Sequence, residues 1–220
     1  MDYQDGKTMK RTLFWTDPSI VTQLEQSLNN GLVSITSTDT VIGLLAPLTQ
    51  QGFDILNIIK GGRSNKPYLV LISSPTKLKH FVQMEHLDSR ITKALSQCWP
   101  GPLTIVFKAR LDLPTYLKSA DGTIAVRCPQ HSGLLNILQN FDGLFSTSAN
   151  LSGLPVPETL EQVSPDILKQ VDLVVLDDES KINKSVSSTI IDLSGSGQGM
   201  NVLREGAFPI AELKRIFDDR

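Results

Sequence analysis

Apolar residues recur along this chain at two periods, and the two kinds of segment alternate. Ile20, Leu24 and Leu28 fall at helical spacing behind Thr16, Asp17 and Pro18, which supply a cap and a first-turn proline, and Asn30-Gly31 closes the segment. Residues 53–60 carry an apolar face at Phe53, Leu56 and Ile59, widened by Ile55 and Ile58 and stopped by Gly61-Gly62. Further helices are expected at 75–82, 87–98, 131–140, 164–170 and 209–217. Short apolar or alternating runs predict strands at 32–37, 68–73, 103–109, 123–127, 144–148, 173–177, 188–193 and 201–204. This alternation predicts an α/β or α+β fold on a twisted mixed sheet flanked by helices. With 220 residues, no internal repeat and no long linker, one domain over 1–220 is expected.

Charge narrows the range of partners. Twenty-one Lys and Arg against 23 Asp and Glu leave a formal net charge of −2, so no overall basic field draws in RNA or DNA. Cys98 and Cys128 have no metal-ligand spacing and sit in apolar stretches, as small buried thiols do. The N-terminal residues have basic groups without an apolar region behind them, and no run of 18 apolar residues occurs. A cytoplasmic location, with no membrane partner, is the expectation.

Candidate chemistry gathers at four apolar-to-polar junctions. They are Ser37-Thr38-Asp39-Thr40, the basic stretch from Lys60 through Arg63 and Lys66 to Pro67, the run from Ser146 through Ser148 and Asn150 to Gly153, and Ser187-Ser188-Thr189 with Leu203-Arg204-Glu205-Gly206 near the C-terminus. Taken singly, the hydroxyl-rich junctions are ordinary turn and cap chemistry, and the basic one an ordinary solvated loop. Together they supply cations, hydroxyls and glycine-rich backbone suited to a polyanion, at strand ends where open α/β sheets bind ligands. The glycine-rich 195–199 stretch precedes a strand where a phosphate loop needs a helix. His80, His86 and His131 offer neither a metal spacing nor a nucleophile–base pair, and no metal site is expected from the protein's own side chains.

These motifs, in this order, resemble those of the YrdC-like threonylcarbamoyl-AMP synthases over about residues 18–207. Residues 37–44 resemble P-T-D/E-T-x-Y-G-L, and Lys60 to Pro67 resembles K-x-R with its following K-P. Residues 99–104 match W-P-G-P-x-T, and Ala125-Val126-Arg127 with Pro129 matches A-V-R-x-P. Residues 146–153 match S-T-S-A-N-x-S-G, and Ser188-Thr189, Asp192 and Leu203-Arg204 with Gly206 resemble the closing motifs. The resemblance implies a concave cleft in which ATP, L-threonine and bicarbonate yield threonylcarbamoyl-AMP and pyrophosphate. That product would serve N6-threonylcarbamoylation of adenosine 37 in tRNA through a separate transferase.

It assigns Lys60, Arg63, Lys66, Ser148, Asn150, Ser188 and Arg204 to ATP, with Lys60 and Arg63 as catalytic residues and Mg²⁺ on the phosphates. Thr38, Asp39, Thr40 and Arg127 are assigned to threonine or nucleotide. An RNA- or ribosome-binding module of the same fold, or a nucleotide-binding paralogue with another acyl substrate, is the alternative. The chain departs from the family pattern at Ser37 (proline), Ile42 (tyrosine), Leu71 (histidine in some members) and in K-G-G-R. Glycine takes positive φ freely, so Gly61 or Gly62 is expected in the left-handed region, turning Arg63 toward the anion site. Lys60 and Asn150 are expected at the cleft surface, where truncation leaves stability unchanged.

Overall fold

The computed structural model of the protein describes residues 12–62, 67–178, 186–195 and 200–218. Among these described residues, ten strands form one mixed sheet. They are β1 (Thr12–Phe14), β2 (Ser34–Thr36), β3 (Gly43–Pro47), β4 (Leu69–Leu71), β5 (Leu103–Lys108), β6 (Thr123–Arg127), β7 (Leu144–Ser148), β8 (Val174–Leu176), β9 (Thr189–Asp192) and β10 (Asn201–Arg204). Their spatial order is β1-β8-β2-β3-β7-β4-β6-β5-β9-β10. Parallel pairs (β1 with β8, β8 with β2, β4 with β6, β5 with β9) interleave with antiparallel ones, giving the mixed sheet that the pattern predicts.

Six α-helices accompany the sheet: α1 (Ile20–Asn29), α2 (Gln50–Ile59), α3 (Ser89–Cys98), α4 (Ser132–Gln139), α5 (Pro165–Gln170) and α6 (Ile210–Asp218). Successive side chains on a strand point to opposite faces, so each strand divides its residues between two layers. Val70, Ile105, Ile124, Val126 and Phe145 point to one face. There they meet Leu56 and Ile59 of α2, Leu95 of α3, Ile167 of α5 and Leu213 of α6 in the main core. Leu45, Leu71 and Leu144 point the other way, into a smaller cluster with Leu24 and Leu28 of α1 and Leu134, Ile137 and Leu138 of α4. Among the described residues, α1 and α4 cover part of the second face, and a cleft lies beside them.

The expected helix over 75–82 is instead a 3₁₀ turn, Pro75–His80, followed by a second at Met84–His86. Leu78 is its only buried residue, so no apolar stripe is available to hold an α-helix against the sheet. Helix α3 begins at Ser89 because the Asp88 carboxylate accepts from the Ile91 amide at 2.9 Å. Among the described residues, no helix is long and apolar enough to cross a membrane.

Candidate active-site cleft

The cleft on the second face has a volume of about 480 Å³. Alternate residues of five neighbouring strands floor it: Ser146 and Ser148 of β7, Leu69 and Leu71 of β4, Ala125 and Arg127 of β6, Thr104 of β5 and Ile190 of β9. The same alternation that fills the core with Val70, Phe145 and Val126 turns these residues into the cleft. Lys60, Arg127 and Arg204 line it with hydroxyl and amide groups, and no Asp or Glu stands among the described lining residues.

At one end, the turn after β2 is built by its own hydroxyl. Thr38 Oγ1 accepts from the amides of Thr40 (3.0 Å) and Val41 (3.1 Å) and donates to Val41 O (2.8 Å). Thr38 thus shapes the turn, and Thr40 Oγ1 accepts from Arg127 Nη1 at 2.9 Å. Arg127 is 4% exposed; its Nε donates to Gly101 O (3.0 Å), and its Nη2 lies 2.5 Å from Asp39 Oδ1. That contact is an ion pair off the line of a hydrogen bond, and neither atom has another hydrogen-bonding partner. Asp39 Oδ2 accepts from the Gln130 amide at 2.9 Å. Burial lowers the Arg127 pKa from its ordinary value, and the Asp39 carboxylate opposes the shift. Both Asp39 oxygens are thus committed within the protein, and it is Arg127 that borders the cleft.

At the next junction, Lys60 caps α2 and is 3% exposed. Its Nζ donates to Ser148 O (2.8 Å), to Asn150 Oδ1 (3.0 Å) and, very closely, to Asn150 O. Ser148 Oγ also donates to Asn150 Oδ1, and Asn150 Nδ2 bonds Leu154 O. Lys60, Ser148 and Asn150 converge as the sequence suggests. Lys60, however, is a buried clip that fixes the 148–150 backbone, because three acceptors there draw in its ammonium. Gly61 (φ +73°) and Gly62 (φ +79°) are both left-handed, as expected for one or other of the two glycines. Arg63 and Lys66 lie outside the described residues.

The far wall comes from the C-terminal strands. Ser188 Oγ sits 2.8 Å from Thr104 Oγ1, and Ser188 O accepts from Arg204 Nε (3.1 Å) and Nη2 (2.9 Å). Gly206 is required there, since a Cβ would stand 2.2 Å from Ser187 O. Burial and the charge of Arg127 both lower the Arg204 pKa from its ordinary value. Two guanidiniums that repel each other across a cleft favour an anion between them.

Ser146, Ser152 and Ser187, which lie in the candidate junctions without an assigned role, also line the cleft, and the structure adds Thr104. Period-two spacing from Ser148 already marks Ser146, and the W-P-G-P-x-T motif marks Thr104. The departures also find reasons. Ser37 N donates to Val175 O (2.9 Å), which proline lacks the hydrogen to do, and Ser37 Oγ accepts from Trp15 Nε1 and the Asp177 amide. Ile42 is buried in the main core and Leu71 joins the α1–α4 cluster, so both sites are apolar.

Cys98 and Cys128 are buried as expected, and burial pushes each thiol up to about 11. We predict that neither is labelled by a thiol-disulfide reagent at pH 8 until urea unfolds the chain. Unfolded thiols lose their protons near pH 9 while folded ones hold theirs to about 11, so their contribution to stability fades as pH rises through that window. Rapid labelling of the folded chain would contradict this burial.

The comparisons with known proteins agree with this geometry. The profile of the Sua5/YciO/YrdC family, described as telomere recombination, matches residues 26–206. A protein of Methanocaldococcus jannaschii is 30% identical over 193 residues, 87% of this chain and 88% of its own length. The threonylcarbamoyl-AMP synthase of Pyrococcus abyssi is 28% identical over 184 residues, 83% of this chain but 52% of its own length. The crystal structure of P. abyssi Sua5 with L-threonine superposes at a TM-score of 0.82 with 24% identity, covering 95% of this chain and 61% of that one. The profile match takes in β2 through β10, the strands that carry the cleft and its turns, and the chain belongs to the Sua5/YciO/YrdC family.

Proposed function

We propose that this chain is an L-threonylcarbamoyladenylate synthase, forming threonylcarbamoyl-AMP and pyrophosphate from ATP, bicarbonate and L-threonine. The observation that carries the reading is one cleft lined by Arg127, Arg204 and the buried Lys60 among hydroxyls and amides, with no carboxylate among its described lining residues. Such a cleft suits two anionic reactants that must be aligned and held together. The threonine amine and bicarbonate give a carbamate and water. A carbamate oxygen then forms a bond to the α-phosphorus of ATP as the bond to pyrophosphate breaks. The attacking oxygen is already anionic, so no histidine base is needed at that step.

Arg127, oriented by Asp39 and Thr40, is assigned to the carboxylate of threonine or its carbamate, with Thr38 shaping the turn that presents them. Ser148, Asn150, Ser188 and Arg204 are assigned to the nucleotide phosphates, joined by Arg63 and Lys66. Lys60 fixes the 148–150 segment and adds its charge from beneath. Without a carboxylate on the described wall, Mg²⁺ enters as the substrate complex MgATP, held through phosphate oxygens. The product would pass in the cytoplasm to a transferase acting on tRNA.

Pyrophosphate release is expected to need threonine and bicarbonate together, and serine should substitute with a rate loss of about 10–200-fold, the worth of one methyl in a pocket. Release that persists at full rate after bicarbonate is stripped out would sink the mechanism.

A further inference from the structure

The Asp39–Arg127 pair joins the end of β2 to the end of β6, strands that three others separate, so no ladder hydrogen bond fixes one against the other. A cluster the proposed chemistry does not use supplies the connection. Asp177 follows β8, and its amide donates to Ser37 Oγ at 2.8 Å, two residues before Asp39. Its carboxylate meets His131 Nε2 at 3.2 and 3.4 Å, and His131 follows Gln130, whose amide donates to Asp39 Oδ2. One residue therefore grips both segments that carry the ion pair.

The two side chains are only 9% and 12% exposed. His131 Nδ1 accepts from the Leu134 amide at 3.2 Å as the cap of α4, so Nε2 carries the hydrogen donated to Asp177. Both ring nitrogens are thereby engaged within the fold, and His131 is not among the described residues that line the cleft. Trp15 packs on the ring at 5.1 Å between centroids and donates from Nε1 to Ser37 Oγ, closing the cluster from outside.

We infer that His131 and Asp177 are positioning residues that hold Asp39 and Arg127 in register for the substrate carboxylate. The brace rests on geometry alone; its effect on threonine rests on the proposed function. His131→Asn separates the two roles of the ring, because an Asn oxygen can still cap the Leu134 amide but the shorter side chain does not reach Asp177. Asp177→Ala removes the grip, and Asp177→Asn keeps an acceptor for His131 and should rescue.

The test reads hydrogen exchange of the Gln130 amide in the free protein, then L-threonine and ATP dissociation constants by calorimetry. In His131→Asn and Asp177→Ala, Gln130 exchange and the threonine constant should each rise about tenfold, the effect of losing one hydrogen bond to a charged group. The ATP constant should stay within about twofold, and Asp177→Asn should behave as wild type. Unchanged Gln130 exchange in both variants would overturn the brace. So would equal losses for threonine and ATP accompanied by a collapsed melting transition, which marks a general scaffold. Wild-type chain that binds no threonine yet shows faster Gln130 exchange in the variants would sink the substrate assignment and leave the brace standing.

Discussion

Arg127→Ala is expected to lower threonine-dependent pyrophosphate release by about a hundredfold or more and to destabilise the fold by about 3–5 kcal/mol. The activity loss follows from removing the cation that borders the cleft at the β6 end. The stability loss has a different origin. Asp39, with its side chain 10% exposed, would be left with Oδ1 facing no cation. The two effects separate in the double change Arg127→Ala with Asp39→Asn. Urea denaturation should show most of the stability returning once no carboxylate is buried unpaired, while activity stays lost. If the single change leaves stability intact, the ion pair is not the strut described above. If the double change recovers activity, Arg127 does not touch substrate.

Lys60→Ala is the second large effect, and it reverses what the chain alone suggests. A lysine beside two glycines after a helix reads as a surface cation, and truncating a surface cation costs almost nothing. The structure instead buries the ammonium among Ser148 O, Asn150 O and Asn150 Oδ1. Removing it leaves three acceptors facing the space it filled, so a stability loss of about 1.5–3 kcal/mol is expected, with weaker ATP use as the 148–150 segment shifts. Lys60→Met should preserve the packing of the stem yet lose as much stability. A denaturation midpoint unchanged in both variants would show that the clip contributes nothing. Asn150→Ala, which removes one of the three acceptors and the link to Leu154, should lose less.

The contrast between these residues shows what could be read from the chain. Strands with period-two spacing or a run of β-branched residues were legible, and so was the apolar stripe of α1, although that helix begins at Ile20 without a side-chain cap, after the expected cap residues and Pro18. Strand β3 was hidden because Leu44 and Leu45 are buried on opposite faces, which erases alternation and leaves only a short apolar run. Strand β1, at three residues, is too short to show a period. For the site, the ordered motifs name residues that the fold brings to one cleft: Thr38, Thr40, Lys60, Arg127, Ser148, Asn150, Ser188 and Arg204 line it, Asp39 stands behind Arg127, and Arg63 and Lys66 lie outside the described residues.

What the chain could not disclose was direction. Whether an ammonium points into a cleft or beneath its wall depends on carbonyls 88 and 90 residues away, and on the packing that brings them there. Asp39 was likewise legible as a site residue but not as one whose oxygens are both turned inward. The brace through Asp177 was invisible for the same reason, since its partner His131 lies 46 residues away and neither belongs to a motif.

The most direct test of the account is mass spectrometry of the nucleotide products formed from ATP, Mg²⁺, L-threonine and ¹³C-bicarbonate. The account predicts threonylcarbamoyl-AMP heavier by the single ¹³C label, formed with one pyrophosphate for each molecule and absent when threonine is omitted. AMP or ADP as the only nucleotide products, with no labelled adduct at the earliest time points, would contradict it.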